Sequence, residues 1–254
     1  MTVTPRSRSV TAPRHGLARA LSKLGVCSRT QAAAWIREGR VVLKGCIERN
    51  PEAPVFVGVD HIRVDGVAVG LAAPVYVMLN KPRGVVTTAS DEHGRATVYE
   101  VLRDSGLPWI GPVGRLDLAS EGLLLLSNDT LWSSGITDPS TAIDKHYHVQ
   151  IDRLPTEELL NALIRGVNER GEQLAAKSVV ELRRGQRNAW MEVVIDEGRN
   201  RQIRRLLAAF DVNVLRLLRV AIGPLALGDL PRGAWRHLQE DEVAALRAGA
   251  MKSA

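Results

Sequence analysis

The sequence predicts an α+β fold with a large mixed or antiparallel sheet, preceded by a small α/β module. Segments with the apolar pattern of strands dominate most of the chain, and a few segments with helical spacing are interspersed among them. The 254 residues, of which 45% are hydrophobic, suffice for one core of ordinary size and a small appended module.

The small module is expected over residues 15–70. Apolar residues between Leu17 and Leu24 recur at helical spacing, which predicts a first helix. A second helix should begin after Ser28, which is a good N-cap, and should end at Gly39. Short strands are expected to follow, and the segment HIRVDGVAV contains the Asp-Gly signal of a hairpin.

The larger domain is expected over residues 75–250. The continuous apolar run GLLLLSND is typical of a strand that is buried on both faces. Helices are predicted for PTEELLNALIRG, with Thr156 as the N-cap, for RQIRRLLAAF and for residues 239–249. The other predicted strands are PVYVMLN, the segment after KPRG, KHYHVQI, AKSVVELRR, WMEVVIDEG and VLRLLRVAIG.

The chain is basic, with 34 Lys and Arg residues against 28 Asp and Glu and a formal net charge of +6. Such a balance fits a polyanionic partner such as nucleic acid, although a merely basic soluble protein has the same composition. Residues 1–14 contain no apolar run, so they predict a mobile basic tail rather than a secretory signal. No apolar stretch is long enough to predict a membrane span.

The two cysteines, Cys27 and Cys46, lie far apart and neither belongs to a CxxC pair. Neither a disulfide framework nor a zinc site is therefore expected. Both are interpreted as small buried residues in a protein of the reducing cytoplasm.

One candidate for chemistry is the segment GRLDLASEGLLLLSND. Arg115 and Asp117 share a face if the chain is extended there, and Gly114 permits an unusual turn. Asp117 directly precedes the buried strand, which is a common place for catalytic groups. From spacing alone, an aspartate in such a loop more often caps a helix or closes a turn.

A second candidate is the arginine-rich stretch that begins at EGRNRQIRR. Six arginines fall within 21 residues beside an apolar helical stripe, which is costly unless they meet anions. The anions could be RNA phosphates or a catalytic carboxylate, and a solvated charged helix is the alternative. The six are Arg199, Arg201, Arg204, Arg205, Arg216 and Arg219.

A third candidate is the strand KHYHVQI. Alternation places Tyr147 on the opposite face from His146 and His148. No further ligand follows the two histidines at metal-binding spacing, so no metal is predicted. Tyr147 could belong to the core, or it could provide a flat surface on which a displaced base stacks.

The motifs KPRG, GRLDLASEGLLLLSND, KHY, EGRNRQIRR and RVAIGPLALGDLPRGAW occur in this order. Together they resemble the bacterial ribosomal RNA pseudouridine synthases of the Rsu-type branch. The preceding segment LSKLGVCSRTQAAAWIREGRVVLKG resembles an S-four type RNA-binding domain. The resemblance covers residues 15–245 and implies a pseudouridine synthase fold. It also implies the isomerisation of a uridine in ribosomal RNA without a metal or another cofactor. The RNA of either subunit remains open as the substrate, and the family analogy favours the large subunit.

The resemblance also assigns roles to individual residues. Asp117 would be the essential carboxylate, as a nucleophile or as a base, and Arg204 its cationic partner, with Arg201 and Arg199 as alternatives. Tyr147 would pack on the target base. Arg115 would fill the gap left by the flipped nucleotide, Lys81 of KPRG would be structural, and the RNA backbone would meet Lys23, Arg29, Arg37, Arg40 and Lys44.

The family further implies a cytoplasmic monomer with ribosomal RNA as its partner. Two other functions remain open from the sequence. One is a non-catalytic ribosomal RNA-binding protein that takes part in ribosome assembly. The other is a carboxylate-dependent glycosidase, which would need a second acid, and Glu100, Glu121 and Asp129 lie in no motif that supports this role.

Overall fold

The helices and strands of this computed structural model, which describes residues 14–251, divide into two units. The first comprises Met1–Pro74 with Pro108–Ile110, and the second comprises Val75–Leu107 with Gly111–Ala254. Of the predicted tail over residues 1–14, residues 1–13 lie outside the described part, and Arg14 begins the first strand. No helix within residues 14–251 has both the length and the apolar character to cross a membrane.

The first unit contains two helices and six short strands. One sheet has the order β3-β2-β5-β6, and β1 pairs separately with β4. The core lies between the helices and the sheet and includes Leu17, Leu21, Ile36 and Val41, none of which is exposed. The elements are β1 (Arg14–Gly16), α1 (Leu17–Lys23), α2 (Arg29–Glu38), β2 (Val41–Leu43), β3 (Cys46–Ile47), β4 (Pro54–Phe56), β5 (Ile62–Val64) and β6 (Val67–Ala68).

Local signals in this unit act as the sequence predicts, with one exception. The Ser28 hydroxyl accepts a hydrogen bond from the Gln31 N–H at 3.1 Å, and Gly39 ends α2 at φ +80°. Cys27 is buried, and burial raises the pKa of its thiol to about 11. The expected burial of Cys46 is wrong, because Cys46 lies in the two-residue outer strand β3, whose side chains are both exposed.

The second unit is built on a nine-stranded sheet, flanked by five helices and a small separate hairpin. The hairpin consists of β11 (Val167–Glu169) and β12 (Glu172–Leu174). The helices are α3 (Val98–Val101), α4 (Thr130–Thr137), α5 (Glu157–Arg165), α6 (Gln202–Ala208) and α7 (Glu240–Met251), and a 3-10 turn covers Pro139–Thr141. The strands of the sheet are β7 (Tyr76–Lys81), β8 (Gly111–Val113), β9 (Glu121–Ser127), β10 (Lys145–Ile151), β13 (Ser178–Arg184), β14 (Ala189–Ile195), β15 (Val214–Ile222), β16 (Leu225–Ala226) and β17 (Trp235–His237).

The large sheet is mixed, as predicted. Its main order is β13-β14-β10-β15-β9-β7-β17, with β16 added to β15 and β8 added to β9. Every described pair in it is antiparallel except the central pair of β15 with β9, which is parallel. All seven residues of β9 are buried, which agrees with its continuous apolar run.

Two antiparallel halves of the sheet meet at a short seam between β9 and β15. Only two residue pairs form it, Leu218 with Glu121 and Arg219 with Gly122. Gly122 has φ +100°, and a Cβ atom there would lie 2.3 Å from the Arg219 carbonyl oxygen. Because only glycine allows this close approach, residue 122 determines whether the two halves can join.

The seam also aligns four residues across four neighbouring strands, here called the Tyr147 row. Tyr147 pairs with Arg219, Arg219 with Gly122, and Gly122 with Lys81. Directly paired residues project to the same face of a sheet. Neighbouring strands lie roughly 4.8 Å apart, so Tyr147 lies about 10 Å from Gly122, two strands away. The side chains of Arg219 and Lys81 lie on either side of Gly122, which has no side chain.

Several parts of the second unit differ from the prediction, among them the short strands β8, β11, β12, β16 and β17, which the sequence did not predict. The segment after KPRG is not a strand, because it makes only an isolated bridge at Val86, and the Thr87 hydroxyl donates to the Leu116 carbonyl at 2.8 Å. The helices α3 and α4 were not predicted from the sequence. α4 begins at Asp129, whose carboxylate accepts the N–H groups of Leu131 and Trp132.

We expect Gly122→Ala to lower the free energy of unfolding by about 3 kcal/mol or more, because steric overlap and backbone strain add. Gly70→Ala is the matched control, since a Cβ atom there would have no neighbour within 4 Å. Urea denaturation followed by circular dichroism measures both. A Gly122→Ala variant within about 0.5 kcal/mol of the parent protein would contradict the close approach at the seam.

Candidate active site

Asp117 lies in the loop between β8 and β9. Gly114 enters this loop at φ +73°, and the Asp117 carbonyl accepts the Ser120 N–H at 3.0 Å, which closes a turn. The Asp117 side chain is 33% exposed. A carboxylate in this position is supported by rigid backbone and remains accessible to a ligand from solvent.

The three carbonyl groups that follow Asp117 in the loop are all held by hydrogen bonds from distant segments. Two donors come from the KPRG segment and one comes from α6. The bonds run from Lys81 Nζ to Ser120 O at 2.8 Å, from Gly84 N to Leu118 O at 2.8 Å, and from Arg204 Nη2 to Ala119 O at 3.0 Å. We call this arrangement the carbonyl clamp, and it explains why the KPRG and RQIRR motifs accompany GRLD in one sequence.

Lys81 is the most buried cation in the described part of the chain, with a side chain that has no exposed area. Its ammonium group also donates to the Pro82 carbonyl at 3.0 Å. Burial lowers the pKa of Lys81 from 10.5 to about 8, while the negative charges of Asp117 and Glu121 act in the opposite direction. The lysine is therefore mostly protonated at neutral pH, and its positive charge interacts electrostatically with Asp117.

Arg204 and Arg201 contribute to the site in different ways. Arg201, 51% exposed, brings Nη1 to 3.8 Å from Asp117 Oδ2 and forms the ion pair. Arg204 makes no ion pair with a described carboxylate and donates instead to the carbonyls of Ala119 and Val214. Burial lowers the pKa of Arg204, as does the charge of Arg201, and the charge of Asp117 opposes this shift. The contact that the resemblance gave to Arg204 is thus made by Arg201, the stated alternative.

Three of the other predicted arginines meet anions that belong to the protein itself. Because each of these guanidinium groups is already paired with a carboxylate, fewer arginines are available to bind RNA than the sequence alone indicates. The pairs are Arg199 with Glu197 at 2.7 Å, Arg205 with Glu169 at 2.5 Å and Glu172 at 2.6 Å, and Arg216 with Glu121 at 2.9 Å.

Tyr147 is 9% exposed and faces the same side of the sheet as Arg219. His146 and His148 are half-buried on the opposite side, where both approach Glu192 Oε2 at 3.7 and 3.8 Å. Among residues 14–251, no group of three or more possible ligands is arranged to hold a metal ion. Arg115, predicted to enter the gap of a flipped nucleotide, is exposed in the same loop as Asp117.

The predicted RNA contacts of the first unit form two classes. Arg29 and Arg37 are exposed on α2. The other three predicted residues, Lys23, Arg40 and Lys44, each contact another side chain of the same unit. These contacts are the bidentate bonds of Arg40 to Asp65 at 2.6 and 3.0 Å, the ion pair of Lys44 with Asp60 at 3.2 Å, and the contact of Lys23 Nζ with His15 Nε2 at 3.0 Å.

Sequence reasoning missed two features of the site. It assigned Lys81 a structural role without recognising that a fully buried ammonium would lie close to Asp117. The available signal was its position at the end of β7, whose last five residues are all buried. It also grouped Arg219 with the other arginines, although Arg219 is only 6% exposed. Its place within the strand VLRLLRVAIG was the corresponding signal.

The arrangement provides one accessible carboxylate in a fixed loop with three cations close to that loop. Arg201 supplies a direct partner, and Lys81 and Arg204 act from behind the loop. Such a group can attack an electrophilic carbon or remove a proton. A glycosidase would require a second accessible acid, whereas Glu121 is 3% exposed and bound to Arg216.

Comparison with known proteins gives a consistent result over most of the chain. A family model described as RNA pseudouridylate synthase matches residues 75–209. A ribosomal large subunit pseudouridine synthase B of Bacillus subtilis is 37% identical over 91% of this chain and 95% of its own. An uncharacterized RNA pseudouridine synthase of Aquifex aeolicus is 35% identical over 89% of this chain and 91% of its own. A crystal structure of a pseudouridylate synthase matches with a TM-score of 0.64 at 29% identity, over 91% of this chain and 99% of that one.

The lowered pKa of Lys81 predicts an increase in stability at alkaline pH. Between about pH 8 and 10.5 the folded protein has released a proton that the unfolded chain still binds, so the free energy of unfolding rises with pH. Over this window, we expect the parent protein to gain about 3 kcal/mol relative to Lys81→Met.

Urea denaturation of both proteins at several pH values measures this difference. Lys177→Met is the control. Lys177 is an exposed lysine, and its pairing with Asp144 raises the pKa of Lys177 instead of lowering it. A difference between the parent protein and Lys81→Met that stays constant from pH 7 to 10.5 would show that the ammonium is not buried as described.

Proposed function

This chain belongs to the RNA pseudouridylate synthase family, and we propose that it isomerises a uridine of ribosomal RNA to pseudouridine with Asp117 as the catalytic carboxylate. The observation that carries the proposal is the accessible Asp117 carboxylate beside Arg201, in a loop fixed by the carbonyl clamp. The relative from Bacillus subtilis is named for the large ribosomal subunit, which favours large-subunit RNA as the substrate.

The reaction moves the uracil base without any change in composition. The bond between uracil N1 and ribose C1′ breaks, the base rotates, a bond between C5 and C1′ forms, and the proton on C5 leaves while N1 gains one. Asp117 acts either as the nucleophile at the sugar or as the base that takes a ribose proton. In both roles it works as a carboxylate, with the cation Arg201 beside it and with Lys81 and Arg204 bonded to the same loop.

The remaining site residues handle the nucleotide. A uridine in a paired or stacked strand must leave its stack to reach Asp117, at a cost of a few kcal/mol. Arg115, exposed in the same loop, fills the resulting gap, and Tyr147 packs against the extruded base. Since Tyr147 is only 9% exposed, side chains around it must shift when the base enters.

We further propose that residues 15–70 form an RNA-binding module of the S-four type and that residues 75–250 carry the catalysis. The exposed Arg29 and Arg37 on α2 suit phosphate contacts, which provide affinity and register rather than sequence choice. Lys23 would add positive potential beside His15, whereas Arg40 and Lys44 would have to exchange Asp65 and Asp60 for phosphate. If Arg29→Gln and Arg37→Gln together leave RNA affinity and its salt dependence unchanged, this role is excluded.

A cytoplasmic monomer that works without a cofactor completes the proposal. Ribosomal RNA is made and modified where ribosomes assemble, so a cytoplasmic site follows from the proposed substrate. Sedimentation analysis tests the monomer, and activity after dialysis against a chelator tests the absence of a metal requirement.

Asp117→Asn should abolish the release of tritium from ribosomal RNA labelled at C5 of uracil, by at least about 1,000-fold, because it removes the carboxylate that acts as nucleophile or base. Asp104→Asn, which alters an exposed aspartate of the same unit, is the control and should retain full activity. A protein that binds RNA without catalysis would release no tritium even with Asp117 intact, and a glycosidase would liberate free uracil.

Arg204→Met and Arg201→Met should separate the two arginines. We expect Arg204→Met to lower kcat by about 100-fold, since it removes both a half-buried cation and a bond of the carbonyl clamp. Arg201→Met should lower kcat by less than about 10-fold, because exposed ion pairs contribute at most about 1 kcal/mol. Steady-state tritium release, with the exposed Arg165→Met as control, gives both values. The reverse order would identify Arg201 as the main partner of Asp117.

A further inference from the structure

Arg219 differs in its contacts from the other arginines of the 199–219 stretch that do not contact the Asp117 loop. Arg199, Arg205 and Arg216 each bind a carboxylate, whereas Arg219 makes no ion pair with any carboxylate of residues 14–251. Its Nε donates to the Leu123 carbonyl at 2.8 Å across the seam of the sheet. Its Nη2 is fully buried and, among the described residues, has no hydrogen-bond partner.

A guanidinium that is 94% buried without a counter-charge is costly, because burial removes water and nothing replaces it. A second cation lies close by. Lys145 shares a face of β10 with Tyr147, and its pKa is lowered first by burial and then by the charge of Arg219. Its ammonium group donates to the Asp196 carbonyl at 3.0 Å. Asp144, Asp196 and Glu197 offset part of the Lys145 charge, but none of them pairs with Arg219.

Both cations lie beside Tyr147, the residue proposed to pack against the target base. Arg219 is the direct cross-strand neighbour of Tyr147, and such neighbours have Cβ atoms about 5 Å apart. Lys145 precedes Tyr147 by two residues on the same face and is half-buried, so it links the buried guanidinium to the surface. Tyr147 is thus bordered by two cations on one face of the sheet.

We propose that Arg219 and Lys145 form a phosphate-binding site for the RNA strand that carries the target uridine, beside the base held by Tyr147. This inference rests on the proposed function. The free Nη2 of Arg219 donates to a phosphate oxygen, and Lys145 adds a second charge. Phosphate is the matching group because it is the anionic part of RNA, and a neutral carbonyl of uracil would leave the buried charge without compensation.

Access to the site depends on the same movement that the base requires. Tyr147 and Arg219 are 9% and 6% exposed, so neither is open to a ligand while the side chains around them stay in place. Because the two residues are neighbours in the Tyr147 row, a rearrangement that uncovers the tyrosine ring also uncovers the guanidinium. Binding of the phosphate therefore stabilises the open arrangement that stacking on Tyr147 needs.

The salt dependence of catalysis tests the site. We expect the logarithm of kcat/KM for unmodified large-subunit RNA transcript, plotted against the logarithm of KCl concentration, to lose about 0.7 from its slope in Arg219→Met and in Lys145→Met. KM should rise more than kcat falls. Arg183→Met, which removes an exposed charge of β13, is the matched control and should keep the slope of the parent protein. An unchanged slope in Arg219→Met with a lower kcat would mean a purely structural role and would overturn the proposal.

A second measurement does not depend on a variant or on catalysis. Uridine 5′-monophosphate should raise the melting temperature of the parent protein, and uridine at the same millimolar concentration should raise it less, because only the nucleotide neutralises the buried charge. Equal shifts with both compounds would exclude the phosphate site. If the parent protein releases no tritium, the proposed function fails, and this comparison still decides the role of Arg219.

Discussion

The carbonyl clamp is the constraint on which the site depends. A loop that presents a carboxylate to ligands must expose the side chain while it fixes the backbone, and here the donors of Lys81, Gly84 and Arg204 satisfy three successive carbonyl groups. The loop is therefore as well bonded as a strand although it lies outside the sheet. Preorganisation of this kind lets one carboxylate act without rearrangement of its own backbone.

Bonds to carbonyl oxygens have a second effect, which is electrostatic. The charge of a cation paired with a carboxylate is largely cancelled, so the cation attracts a third charged group only weakly. A cation held by neutral carbonyls keeps its full charge and attracts a nearby carboxylate more strongly. Lys81 and Arg204 are of the second kind, and both act on the Asp117 carboxylate. The arginines on the surface of the same unit, such as Arg199 and Arg205, are of the first kind. The protein thus separates the cations that serve the site from those that stabilise the fold.

Periodicity and capping signals predicted the mixed sheet, the buried strand β9 and the helices α2, α5, α6 and α7, because these features depend on neighbours in sequence. The strand after KPRG was wrong, since tertiary bonds from Thr87 to the Asp117 loop replace strand pairing. The sequence offered Arg201 only as an alternative partner of Asp117, and the burial of Lys81 was indicated only by its place at the end of a buried strand. Lys81 meets Ser120 across 39 positions, and no local pattern specifies which donor reaches which carbonyl.

The seam between β9 and β15 has a consequence for biosynthesis. Arg219 bonds to Leu123 across 96 positions, and the loop at Asp117 receives its donors from segments on both sides of it. Long-range pairing of this kind closes late in folding, because the entropy of a large loop must be overcome before the contact forms. A nascent polypeptide that has emerged only as far as α6 lacks β15 and cannot join the halves of the sheet. Catalytic competence therefore arises only near the completion of translation, when the enzyme leaves the ribosome that made it.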